Sequence, residues 1–253
     1  MGGIFRVPRE PGAGGTIILS MIGGLILTGA DWRGWVIGVV VSLVTFFTFD
    51  YAFDSYRAWK IRDMLIALGL NALAYLLPAW FWFGSGIFRL SYDNPLLVPL
   101  AVVIAVLLLH LVLSRTKGWK NPVTYALGNL LPSVPALFAP AVSGKPFSDK
   151  VLVFWFLLAY YEAIGAAYVE TRLAFRKFPK KYPLLAWLPA FLLVLYNPYL
   201  LLVLLEPTVR LILNLRDNTY VSKIEDIKKL GWSVFGSVML LYVLTLAVLC
   251  LTG

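Results

Sequence analysis

Nine apolar stretches follow one another along the chain, near residues 16–30, 35–53, 64–87, 95–113, 124–143, 151–169, 184–196, 199–214 and 232–251. Each approaches the roughly 20 residues that a helix needs to cross a hydrocarbon core, although the first, seventh and eighth are short. Nine such spans occupy about 180 residues. That leaves no room for a soluble domain in a chain of 253. The stretches lack the period-two alternation of barrel strands, so the helix is the spanning element that satisfies every backbone polar group. Composition agrees, because 60% apolar and only 14% charged residues, with a mean hydropathy of +0.81, exceed what a water-soluble globule can hide. The expected fold is therefore all-α: about nine transmembrane helices in one polytopic domain covering 1–253, a multi-pass protein of the cell membrane.

Charge decides whether 184–214 is one tilted helix or two short ones around Asn197-Pro198. With nine spans and a cytoplasmic N-terminus, the inside segments hold 18 Lys and Arg and the outside keeps 4, namely Arg33, Arg89, Lys145 and Lys150. Merging the pair changes the split to 13 against 9. The positive-inside rule favours the first arrangement, with the N-terminus in and the C-terminus out. Asn-Pro suits a break, since proline removes a donor and disfavours helix at the preceding residue. Gly128, Pro132, Pro135 and Pro140 make the fifth span irregular in the same way. The formal net charge of +9 then reads as basic loops against an anionic leaflet, and not as a nucleic-acid surface.

A lone cysteine, Cys250, excludes an intramolecular disulfide or a cysteine metal cluster. A lone histidine, His110, excludes a multi-histidine metal site within this chain. The candidates for chemistry are acids within spans, each costing about 2.5–3.5 kcal/mol at mid-membrane. Asp50 and Asp54 lie four apart on one helical face, about 6 Å from each other. Two carboxylates so close require a shared cation, either Mg²⁺ or the nearby Arg57 and Lys60. Glu170 belongs at the same cytoplasmic level, and Glu162 about 12 Å deeper on the same helix. Glu206 and Arg210 read as a structural pair, His110 as a packing residue, and Asn71, Asn129 and Asn197 as interhelical hydrogen bonders. Basic loops 115–122 and 172–181 would bring Lys117, Lys120 and Arg172 to that face.

Acids at the cytoplasmic ends of spans two and six of a nine-helix bundle resemble the UbiA-type membrane prenyltransferases. Their motifs are near Asn-x3-Asp-x3-Asp and Asp-x3-Asp. This chain reads Asp50, Asp54, Ala58 at the first. At the second it reads Ala166 then Glu170, or Glu170 then Ala174, so each motif is half present. The chain is also similar over most of its length to the YwiC-like family of prokaryotic membrane proteins, whose signature is near Pro-[Arg/Lys]-[Glu/Gln]-His-Gly-Ala-Trp. Here Pro8-Arg9-Glu10-Pro11-Gly12-Ala13-Gly14 keeps the frame without the histidine and tryptophan, and Trp155 to Arg176 and Lys223-Ile224-Glu225 are similar as well. The resemblance implies a UbiA-like bundle that binds an isoprenoid lipid or isoprenyl diphosphate at its cytoplasmic face. Asp50, Asp54 and Glu170 would hold Mg²⁺; Arg57, Lys117, Lys120 and Arg172 would hold the diphosphate. Glu162 would take an acceptor proton if a prenyl group is transferred. The alternative is a non-enzymatic accessory or assembly subunit, whose partners are other membrane subunits. Neither reading involves nucleic acid.

Overall fold

The computed structural model describes residues 4–9, 11–119, 121–176 and 178–252. It is all-helical: among the described residues the one strand-like feature is an isolated backbone bridge between Leu173 and Val221. Among the described residues ten α-helices run in the order α1 (Pro11–Leu27), α2 (Trp32–Arg57), α3 (Ile61–Phe83), α4 (Leu97–Thr116), α5 (Pro122–Gly128), α6 (Pro135–Ser143), α7 (Asp149–Arg172), α8 (Lys181–Trp187), α9 (Leu200–Arg216) and α10 (Ile224–Leu251). A tighter 3₁₀ turn extends α3 through Gly84–Phe88, and a longer one extends α8 through Leu188–Leu195.

Among the described residues six segments are long and apolar enough to cross a membrane: Trp32–Arg57, Ile61–Phe88, Leu97–Thr116, Pro122–Ser143, Asp149–Arg172 and Ile224–Leu251. Two shorter apolar segments, Gly12–Leu27 and Lys181–Leu195, accompany them. The expected breaks occur where the sequence places proline. Asn197 interrupts the chain between the 3₁₀ segment and α9, its Oδ1 accepting the Tyr199 backbone N–H at 3.0 Å. The fifth span is split into α5 and α6 by the residues between Gly128 and Pro135.

The chain divides into two compact units. The first comprises Met1–Val103 with Pro132–Trp155, the second Ile104–Leu131 with Phe156–Gly253. In the first unit, Met21, Leu25, Val41, Tyr75, Ala79, Leu96, Phe138 and Val142 form one buried cluster. Helix α1 approaches α6 so closely that a Cβ on Gly24 would lie 2.5 Å from the Ala139 Cβ and 2.7 Å from the Ala136 carbonyl oxygen. Only glycine allows that contact. Gly144 ends α6 at φ +71°, a left-handed conformation that favours glycine, with the Trp82 ring packed over it. Trp82 Nε1 donates to the Val142 carbonyl at 3.0 Å. Asn71 Nδ2 donates to Thr48 Oγ1 at 2.9 Å, the interhelical bond expected of it.

In the second unit the fully buried Trp187 packs beside Tyr161, and its indole N–H donates to Thr208 at 3.0 Å. His110 is buried, edge-on to Trp119 at 5.1 Å between ring centres and close under Gly128. Asn129 differs from expectation: its amide donates to the Tyr125 carbonyl one turn back and bonds within its own segment.

Candidate functional site

In the first unit, the acids of α2 are met by arginines from the segment that precedes α1. Arg9 donates from Nε to Asp50 Oδ2 at 2.9 Å and from an Nη2 to Asp54 Oδ1 at 2.6 Å, and its backbone N–H reaches Asp50 Oδ2 at 3.0 Å. Arg6 donates to Asp54 Oδ2 at 2.6 Å, while its backbone N–H bonds the Phe47 carbonyl at 2.9 Å. The hydrogen bonds that Arg9 donates to Asp50, first, and Asp54, second, push its guanidinium further up its already high range. The carboxylates do share cations, as their spacing demands, but these are Arg6 and Arg9 in place of the expected Arg57 and Lys60. Two guanidinium groups balance two carboxylates. An Mg²⁺ ion bridging the pair would have to displace a guanidinium from Asp54, both of whose oxygens are bonded. Among the described residues no three His, Cys, Asp or Glu side chains gather in one place. As arranged, the pair does not fit a resident metal.

The other expected site residues belong to both units. Arg57 is exposed in the first unit and Lys117 is exposed in the second. Lys120 lies outside the described residues. Glu170 is buried on α7 and ion-paired with Arg176 at 3.1 Å, close enough for attraction but not aligned as a hydrogen bond. Glu162 is half-buried on α7.

Arg172 is different. It lines a cavity of about 840 Å³ within the second unit, formed by the last turns of α7, the second half of α9 and Ser233 of α10. The lining combines Arg172, Arg210 and Arg216 with Glu206, Asp217 and Asn214, against apolar Leu205, Val209 and Leu213. Glu162 and Glu170 are not part of it. Glu206 accepts from Arg210 Nε at 2.9 Å, from the Ser237 hydroxyl at 2.8 Å and from the Tyr161 hydroxyl at 3.2 Å. The pair expected from sequence is thus formed, and it faces the cavity. A second Arg210 nitrogen donates to Ser233 at 3.2 Å.

Arg172 is positioned by the loop between α9 and α10. It donates to Asp217 and to Thr219, and the Val221 backbone N–H returns to the Arg172 carbonyl at 2.8 Å. The Thr219 backbone N–H, first, and Arg172, second, hold the Asp217 carboxyl well below the usual carboxylate range. Lys180 donates to the Asp217 carbonyl and lies 4.8 Å from the centre of the Tyr220 ring. Arg216 makes no ion pair among the described residues, so the cavity holds three cations against two anions.

Three arginines beside an apolar wall suit a molecule with an anionic head and an apolar body. The sequence singles out Arg172 as a headgroup ligand and Glu206–Arg210 as a structural pair, and it gives no role to Asn214, Arg216 or Asp217. A signal was present: Glu206, Arg210, Asn214 and Asp217 are spaced four, four and three residues apart. That spacing makes one polar stripe on an otherwise apolar helix. Comparison with protein-family models, with curated proteins and with solved structures finds no match for the chain, so the site's own chemistry is what bears on function.

Proposed function

We propose that the protein is a multi-pass protein of the cell membrane that binds an isoprenoid lipid, or isoprenyl diphosphate, with its phosphate-bearing head in the cavity of α7, α9 and α10. The lining carries this reading: Arg172, Arg210 and Arg216 stand beside Leu205, Val209 and Leu213 in a space of about 840 Å³. That volume lies in the range of small-molecule sites. The resemblance to UbiA-type and YwiC-like proteins supports an isoprenoid as the apolar part. The asymmetry of Lys and Arg supports a cytoplasmic N-terminus and a cytoplasmic position for the arginine-bearing helix ends. Prenyl transfer is left out of the reading, because Arg6 and Arg9 occupy the carboxylates that would hold a metal.

A second reading, a non-enzymatic accessory or assembly subunit of a larger membrane complex, is favoured by that same neutralised cluster. Asp50 and Asp54 then fasten the N-terminal segment to α2 and serve stability alone. Native mass spectrometry of gently extracted protein separates the two readings. A bound polyprenyl species that leaves in the R172A/R210A variant is expected. A stoichiometric protein partner with no such lipid would overturn the first reading in favour of the second.

A further inference from the structure

The turn between α2 and α3 carries a residue that its backbone does not favour. Trp59 sits at φ +55°, in the left-handed region, and is the one non-glycine residue with positive φ among the described residues. The others are Gly29, Gly84, Gly118 and Gly144, which follow α1, α3, α4 and α6.

Helices α1 and α2 close with the same pair of backbone bonds. After α1, the Gly29 N–H reaches the Ile26 carbonyl and the Ala30 N–H the Leu25 carbonyl, both at 3.1 Å. After α2, the Trp59 N–H reaches the Tyr56 carbonyl at 3.1 Å and the Lys60 N–H the Ser55 carbonyl at 2.9 Å. This closure normally puts glycine at the left-handed position, because a Cβ there crowds the following carbonyl oxygen. Glycine takes that position after α1, and tryptophan, the bulkiest residue, takes it after α2. A residue strained in this way persists only where its surroundings hold it.

Those surroundings are basic and accessible. Trp59 is 47% exposed and Ile61 55%, and Arg57, Lys60 and Arg62 beside them are exposed as well. Asp50 and Asp54 are neutralised by Arg6 and Arg9. Arg57, Lys60 and Arg62 form no ion pair among the described residues, and Asp63 is the one acid in 57–63. Helix α2 has 26 residues, a length of about 39 Å against a hydrocarbon core of about 30 Å. A residue just past its end therefore stands at the level of the headgroups, where an indole is favoured.

We propose that the α2–α3 turn seats on the headgroup layer of an anionic leaflet. The Trp59 indole enters the interface, and Arg57, Lys60 and Arg62 meet the lipid phosphates around it. Three cations against one acid select an anionic surface over a zwitterionic one. The interfacial indole offsets the strain of its own backbone. This contact does not depend on what the cavity of α7, α9 and α10 holds.

The test is hydrogen exchange of the full-length protein in nanodiscs, of phosphatidylcholine alone or mixed with phosphatidylglycerol. The amides of Ala58, Trp59 and Lys60 are expected to exchange about fivefold more slowly in the anionic discs. Those of 84–92, past the other end of α3, serve as an internal control and stay unchanged. R57Q/K60Q/R62Q should remove the difference, and W59G should reduce it to about twofold. In detergent W59G should match or exceed the wild-type unfolding midpoint, because glycine relieves the left-handed turn. Equal exchange in the two discs overturns the proposal, and so does slowing that is as large at 84–92. A lower midpoint for W59G in detergent makes Trp59 a packing residue and overturns its anchoring role. The wild-type comparison stands whether or not the variants fold.

Discussion

The two units carry similar charged residues and use them in opposite ways. In the first, Asp50 and Asp54 are closed by Arg6 and Arg9, with both oxygens of Asp54 and one of Asp50 bonded. In the second, the Arg172–Asp217 and Glu206–Arg210 pairs border an open cavity that also holds Arg216, without an ion pair among the described residues. In the first cluster Arg6 Nε remains without a hydrogen bond among the described residues. Charge at helix ends is thus ambiguous on its own. What separates a fastening from a site is whether the chain's own groups fill the space between the charges.

If the first cluster is a fastening, breaking it should cost stability. Removing Arg9 leaves Asp50, 8% exposed at its side chain, without its cationic partner, and a stranded buried charge costs about 3–5 kcal/mol. Arg9 is itself 66% exposed, so R9M should lose about 2–3 kcal/mol once solvent screening is allowed for. The measurement is reversible unfolding in mixed micelles, and an unchanged midpoint would break the contrast.

The second cluster should respond in binding more than in folding. R172A and R210A are each expected to weaken lipid retention about tenfold, or about 1.4 kcal/mol, with a smaller shift in the same unfolding midpoint than R9M. A single interhelical bond that belongs to neither cluster sets the baseline: T48V removes the acceptor for Asn71 and should cost about 0.6 kcal/mol.

The smallest effect concerns pH. Asp217 lies below the usual carboxylate range in the folded protein, so the stabilisation it supplies is fully present above about pH 4. It is lost as pH falls through the lower folded value. Hydrogen exchange in the 217–221 loop should therefore accelerate on acidification below pH 4 in the wild type, and be pH-insensitive in D217N once intrinsic exchange is corrected for.

Backbone interruptions were the most legible part of this chain. Proline and glycine act locally, so Asn197-Pro198 and the Gly128–Pro135 stretch mark the breaks wherever the rest of the fold lies. The Asp50–Asp54 spacing correctly demanded cations. Their source was hidden, because Arg6 and Arg9 lie more than 40 residues away in sequence, and pairing at that range depends on how α1 returns along α2. The nearer Arg57 and Lys60 were the local guess. The cavity was half legible: Glu206 and Arg210 announce themselves at a spacing of four. Asn214 and Asp217 extend their stripe by the same periodicity, but polar residues near a helix end are easily taken for loop. Glu162 drew attention by depth alone, and depth says nothing about which cavity a side chain lines.

The decisive measurement is native mass spectrometry on two variants in parallel, D50A/D54A and R172A/R210A, with co-purifying lipid identified in each. The expected result is that the acid variant is less stable but keeps its anionic lipid, and that the arginine variant folds and loses it. Lipid that departs with Asp50 and Asp54 and stays without Arg172 and Arg210 would move the site to the first unit and contradict the reading of the cavity.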